Sequence, residues 1–210
     1  MSVTDIGART IHIGVFCKAL LCTFLLATSS AQPANAAEKV AIVAIDADPG
    51  HFNPGITTGG HVHAVADSLF NGLVALDATL SPVPDLATRW TISPDGKSYT
   101  FELAEAKWHD GQPLTSADVK YTFEEILLKY HARTKAGLAS VIEGIDVPNE
   151  RQVVFRLKVP QGAFLRRLDV TEAPILPKHL FANVGDPNNA PANAETDRHR
   201  AFQAHELPKG

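Results

Sequence analysis

The spacing of apolar positions changes several times along the chain, and each change predicts an element. Lys39-Val40-Ala41-Ile42-Val43-Ala44-Ile45 is almost wholly apolar and is bounded by Asp48-Pro49-Gly50, which predicts a buried strand ending in a turn. The loop that follows, His51 to Gly60, holds Pro54, Gly55, Gly59 and Gly60. Its backbone amides can be approached closely by another chain or a ligand. From His61 the apolar residues Val62, Val65, Ala66, Leu69, Phe70 and Leu73 recur at helical spacing, which predicts an amphipathic helix to about Leu73, with Gly72 at its frayed end.

Further on, Trp90 and Ile92, then Tyr99, Phe101 and Leu103, alternate on either side of Ser93-Pro94-Asp95-Gly96. That is the pattern of a hairpin. Thr115-Ser116-Ala117-Asp118 can cap a helix whose buried face is Val119, Phe123, Ile126, Leu127 and Tyr130. A second hairpin is predicted from Ile145 and Val147, the turn residues Pro148-Asn149, and the alternating Val153, Phe155 and Leu157. A short helix over Ala163 to Leu168 comes next. Helices and hairpins alternate without a regular βαβ repeat, which predicts an α+β arrangement around a mixed sheet.

Composition changes the picture at the two ends. Arg9 and Lys18 flank the apolar run Ala19 to Ala27, and Ala34-Asn35-Ala36 forms a small-x-small site. Residues 1–37 are therefore expected to be a cleaved secretory signal, removed after Ala36 or Ala37. The run is shorter than the roughly 20 residues a membrane-spanning helix needs. Cys22 follows Leu20-Leu21, which fits a lipid anchor poorly. Both cysteines, Cys17 and Cys22, lie inside this signal, so thiol chemistry and disulfides are excluded from the mature chain. The formal net charge of −4, with no arginine-rich run, argues against a nucleic-acid partner.

Three stretches carry a resemblance to a known family. They are Phe52-Asn53-Pro54 with the later Phe70-Asn71-Gly72-Leu73; Pro84-Asp85-Leu86-Ala87 running into Trp90; and the most specific, Lys107-Trp108-His109-Asp110-Gly111-Gln112-Pro113-Leu114-Thr115-Ser116-Ala117-Asp118-Val119. Ala173-Pro174-Ile175-Leu176-Pro177-Lys178-His179 adds to them. With these stretches in order, the chain resembles the extracellular solute-binding protein family 5, the binding proteins of peptide, nickel and related importers, over about Lys39 to Ala194. The resemblance implies part of the first lobe, over 38–194, of a type II periplasmic binding protein. Such a protein is periplasmic and monomeric, and it closes around a peptide or other small solute and hands it to the membrane permease of an ABC importer. It implies no reaction and no cofactor. It also marks Thr57, Thr58, Gly59 and Gly60, in the loop after the first strand, as candidate ligand contacts, with His131 as a second-tier contact. The motif from Lys107 to Asp118 explains itself as turn and cap, without a ligand.

Two departures stand out. Ala104-Glu105-Ala106 stands where the family has a basic residue and a glycine, and the family's members run hundreds of residues further, so a truncated, non-functional copy is expected, whose site cannot close without the missing lobe. After Ala194 the family continues with a Gly-Thr-Gly-Pro-Phe type of run, where this chain reads Glu195-Thr196-Asp197-Arg198-His199-Arg200-Ala201-Phe202-Gln203. Read one base later, those codons permit Lys-Pro-Ile-Gly-Thr-Gly-Pro-Phe-Lys. Residues 195–210 are therefore expected to be a frame-shifted, disordered tail.

Other side-chain groupings bear on chemistry. His51, His61 and His63 could form a nickel or zinc module, the alternative to solute binding, although residues two apart on a helix diverge. His109 and Asp110 with Ser116 could suggest a hydrolase, but adjacent residues orient an imidazole poorly. Glu124-Glu125 and Arg166-Arg167 read as solvated helix faces. Arg133 and Lys135 read as residues of an exposed loop, with a ligand carboxylate as the sharper option.

Overall fold

The computed structural model describes residues 44–194. The expected signal over 1–37, most of the first predicted strand and the expected tail over 195–210 lie outside the described residues. Ala44 and Ile45, the described end of that strand, are exposed and unpaired in any ladder. A strand exists only where a partner takes up its backbone groups, and none among the described residues lies beside them.

Two antiparallel sheets form the framework. β1 (Val74–Leu76) pairs with β2 (Pro82–Pro84), and β3 (Ala87–Ile92), β4 (Ser98–Leu103), β5 (Ile142–Asn149) and β6 (Gln152–Leu157) form a sheet in the order β3-β4-β6-β5. The helices are α1 (Gly60–Ala66), α2 (Ser116–Tyr121), α3 (Ala132–Leu138) and α4 (Lys178–Phe181). The α+β class stands. The sheet expected to be mixed is antiparallel at every pairing among the described residues. Tight turns make β3–β4 and β5–β6 hairpins, and a hairpin can only be antiparallel.

Both predicted hairpins form. Tyr99 lies opposite Phe155 and Phe101 opposite Val153, and along β4 and β6 every second residue is buried. The buried set covers one sheet face because side chains alternate along a strand. At the first turn Gly96 adopts φ +68°, the left-handed region that glycine enters at no steric cost. The Asp95 carboxylate accepts from Ser93 Oγ at 2.5 Å and Lys97 N at 3.1 Å.

Against the sheet packs the helix that begins at α2. Its last α-helical residue, Tyr121, leads into a wider turn over Thr122–Leu127, in which Leu128 N donates to Phe123 O at 3.0 Å, an i→i−5 bond. That widening sends Leu127 into the main core with Phe123, while Ile126 joins a second apolar cluster with Val62, Phe70 and Leu176. Tyr130, expected on the buried face, is 39% exposed, because the chain leaves the helix before it. The main core is aromatic: Phe155 stacks edge-on against Phe101, Phe123 and Phe164, with ring centroids 5.7, 4.9 and 5.5 Å apart. Such pairs add about 0.5–1.5 kcal/mol each beyond their area.

The helix predicted over 61–73 stops at Ala66. Ser68 Oγ donates to Val65 O at 2.6 Å and Leu69 N bonds Ala66 O at 2.8 Å, so local bonds replace the helical ladder. Leu69, Phe70 and Leu73 are still buried, which is why their spacing read as helix. The segment predicted as a short helix over 163–168 is a single 3-10 turn, Leu165–Arg167.

Candidate functional site

The loop from His51 to Gly60 is held at its entrance by two asparagines far apart in sequence. Asn53, 1% exposed, accepts from Gly55 N at 2.9 Å through Oδ1 and donates from Nδ2 to Asn193 Oδ1 at 3.0 Å. Asn193 O accepts from Phe52 N at 2.9 Å, and its Nδ2 donates to Pro187 O at 2.8 Å. Gly55 lies so close to Leu176 and Ile126 that a Cβ would stand 2.8 and 3.0 Å from their side chains. A larger residue there would have to displace the Leu176 and Ile126 side chains.

The exit of the loop carries the four candidate contacts. Thr57 Oγ1 accepts from Gly59 N at 3.1 Å, and Gly59 O takes the first bonds of α1 from Val62 N and His63 N, both at 3.1 Å. Thr57, Thr58 and Gly59 are half-buried and Gly60 is exposed. A Cβ on Gly60 would meet nothing within 4 Å, so this position faces open space. The loop is thus fixed at both ends, with Gly60 at its exit accessible.

His131 lies behind the loop and not on it. It is wholly buried, and its Nδ1 accepts from Thr134 N at 3.3 Å at the start of α3. In this conformation it presents no surface to a solute. Burial chiefly, with His63 and Arg133 adding to it, pushes its pKa down to about 4, so it is neutral at physiological pH. Its ring stands 5.9 Å from that of His63. His63 is nearly as buried, with Nδ1 3.2 Å from Asp67 Oδ1 and Nε2 3.1 Å from Thr57 O. The Asp67 hydrogen bond raises its pKa, against the opposing effect of burial.

The three histidines do not converge on a metal. His63 has both ring nitrogens engaged, and His51 Nδ1 accepts from Asn53 N at 3.2 Å. Among the described residues no group of three or more His, Cys, Asp or Glu side chains is placed to hold an ion. The hydrolase constellation is likewise dispersed. Asp110 Oδ2 pairs with His179 Nε2 at 2.6 Å, and the buried Ser116 donates its hydroxyl to Asn149 O at 2.6 Å. The Ser116 hydroxyl proton is thus committed to a backbone carbonyl.

The remaining charges are structural. Glu124 pairs with Lys120 and Glu125 with Lys129, each four residues apart, at 2.6 and 2.5 Å. Arg133 and Lys135, expected on a loop, sit in α3, where Arg133 Nε meets Glu172 Oε1 at 3.3 Å and Lys135 Nζ donates to Lys129 O at 3.2 Å. Arg167 lies over Gly137, where a Cβ would come within 1.8 Å of its guanidinium. Sequence reasoning missed the Asn53–Asn193, Asp110–His179 and His63–Asp67 pairs. Only the last left a signal, its i,i+4 spacing.

The stretches singled out in the sequence interlock in space. Asp85 accepts from Asn71 Nδ2 at 2.7 Å and Gly72 N at 3.2 Å, and Ala87 N bonds Leu73 O at 2.8 Å. Ile175 N bonds Asn71 O at 3.0 Å. Asp118, 5% exposed, accepts from Thr115 N at 2.8 Å and Thr115 Oγ1 at 3.1 Å, and its other oxygen takes Lys178 N at 2.9 Å. Each stretch thus closes on another. The family model for "Bacterial extracellular solute-binding proteins, family 5 Middle" matches residues 81–201. The chain belongs to this family.

Among its relatives, a protein of Brucella ovis bearing the name of an ABC transporter peptide-binding protein is 43% identical over 140 residues, 64% of this chain and 25% of the relative. Two solved structures share the fold. A binding protein of A. tumefaciens R10 in complex with agropinic acid superposes with a TM-score of 0.61 at 33% identity, over 69% of this chain and 30% of that one. A dipeptide-binding protein of Pseudoalteromonas sp. SM9913 in complex with Met-Leu does so with a TM-score of 0.61 at 28% identity, over 70% and 32%. The chain spans about a quarter of the length of the curated Brucella relative it matches. Family 5 members of this kind are substrate-binding components of transport, which accords with the type II periplasmic binding fold.

Proposed function

We propose that this family 5 chain is part of one lobe of a periplasmic, monomeric binding protein that captures a small peptide by lobe closure and delivers it to the permease of an ABC importer. It acts as a carrier and performs no reaction. Residues 1–37 serve as its cleaved export signal. The observation that carries the reading is the loop from His51 to Gly60, fixed by Asn193 at its entrance and by α1 at its exit, where Gly60 faces open space. Backbone amides held in place beside an accessible exit suit the carbonyls and termini of a peptide, because little ordering entropy is lost on binding. The alternative nickel or zinc module loses support because His63 has no ring nitrogen left to give.

Titration calorimetry with short peptides, Met-Leu among them, tests this. Saturable binding to the wild type that is abolished or weakened at least tenfold by Gly60→Trp, with an unchanged melting temperature, supports the proposal. The large side chain enters open space, so it blocks ligand approach without disturbing the fold. Binding that ignores Gly60→Trp refutes it. Mass measurement of the exported chain checks the signal: an N-terminus at Ala37 or Glu38 is expected.

A further inference from the structure

His63 sits where the candidate ligand loop, α1 and the turn after the 3-10 segment Leu165–Arg167 meet. Its two ring nitrogens both face acceptors, the Thr57 carbonyl at 3.1 Å and the Asp67 carboxylate at 3.2 Å. A carbonyl oxygen and an ionised carboxylate cannot donate, so both bonds form together only when the ring carries two protons. We infer that His63 is a protonation-dependent latch, whose imidazolium ties the Thr57–Gly60 loop to Asp67 and whose neutral form releases that loop.

The direction of release follows from the two acceptors. A neutral ring keeps one proton, and the bond to the carboxylate is the stronger because it is charge-assisted. The proton therefore stays on Nδ1, and Nε2 turns a lone pair toward Thr57 O. Repulsion replaces a hydrogen bond, and the loop loses the tie that places Thr57. Asp67 is itself held by Thr171 Oγ1, which donates to Oδ2 at 3.2 Å, so the latch anchors the loop to the 169–173 turn.

The charges around His63 favour the imidazolium on balance. From its own helix Asp67 faces it, and the Asp67 hydrogen bond holds its pKa above the ordinary range. From the start of α3, Arg133 opposes the charge, and Glu172 of the 169–173 turn offsets Arg133 by pairing with it at 3.3 Å. His131, 5.9 Å away, is kept neutral by burial and adds no competing charge. Asp169 bears on Asp67 from the same turn, and its own carboxyl is pushed up by burial.

The inference rests on the proposed ligand loop for its consequence, a solute site that loosens as pH rises, but its test needs no solute. Amide hydrogen exchange of Gly59, Val62 and His63 in the full chain is measured from pH 5.5 to 9 and normalised to intrinsic rates. Loss of one hydrogen bond predicts that protection falls roughly fivefold as pH passes the His63 midpoint, read in parallel from its ring proton shifts. His63→Phe, which has no donor for Thr57 O, is expected to show pH-independent protection at the lower level, and Asp67→Asn to move the wild-type midpoint to lower pH. Protection that stays flat in the wild type while the ring titrates overturns the latch, as does a midpoint unmoved by Asp67→Asn. Should either variant fail to fold, the wild-type comparison of ring titration and protection decides alone. A confirmed latch together with peptide binding that ignores Gly60→Trp would refute the solute reading of the loop and leave this one intact.

Discussion

Replacing Asp118 by alanine tests whether the stretch from Lys107 to Asp118 serves the fold or a ligand. The carboxylate accepts three hydrogen bonds, from Thr115 N, Thr115 Oγ1 and Lys178 N, at 2.8 to 3.1 Å, and is 5% exposed. Loss of a helix cap alone costs about 1 kcal/mol. The Lys178 amide, 60 residues away at the start of α4, would lose its partner as well; Lys178 is exposed, so water replaces part of that bond and the loss is about 1 kcal/mol. Together these predict destabilisation by about 2 kcal/mol, or a fall in melting temperature of roughly 6 °C for a domain of this size. Urea unfolding followed by the fluorescence of Trp108, which is 2% exposed and close in sequence to the cap, measures it directly. Asp118→Asn keeps one acceptor oxygen and should cost about half as much. A loss below about 1 kcal/mol, accompanied by a change in peptide affinity, would refute the structural role and move this stretch into the binding site.

Further outcomes follow from other positions. Gly72→Ala places a Cβ 2.5 Å from Leu168 O, and because backbone cannot give way there it should cost at least about 2 kcal/mol in chemical denaturation. Asn53→Ala removes the bonds to Gly55 and Asn193 and should lower stability by about 2 kcal/mol, with faster proteolysis between residues 51 and 60. His131 has a folded pKa depressed to about 4 from 6.5, so the folded state binds fewer protons than the unfolded one between those values. Stability present above about pH 6.5 is therefore lost as pH falls toward 4, by up to about 3 kcal/mol. His131→Asn keeps a capping acceptor without a titrating ring, so its melting temperature should fall less steeply over that window than the wild type's. His63 has the opposite sign: its raised pKa contributes stability that is full below about pH 6.5 and lost as pH rises through the folded value.

How much of this was legible beforehand depended on the range of the interaction concerned. Both hairpins could be read because alternation at Tyr99, Phe101, Leu103, Val153, Phe155 and Leu157 is a local pattern that a sheet with one buried face enforces. The cap at Thr115 and Asp118 was legible because its partners lie three residues apart. The helix over 61–73 was overextended for the converse reason. Leu69, Phe70 and Leu73 are apolar because the core needs them, and burial leaves the same periodic mark whether or not the backbone is helical. The outward turn of Tyr130 follows from the wide turn at Thr122–Leu127, which no residue type announces.

The sequence by itself determined the class of fold, the strand alternation, the helix start at Thr115 and, through Phe70-Asn71-Gly72-Leu73 and Lys107 to Asp118, membership of the solute-binding family. All of these rest on short-range patterns. Tertiary structure alone decided that Asn53 meets Asn193 across 140 residues, that Asp118 receives Lys178 across 60, that His131 is buried behind the loop and that His63 binds the Thr57 carbonyl. A buried polar group must find a partner wherever the packed chain supplies one. The identity of that partner is a property of the fold and leaves no periodic trace in the sequence.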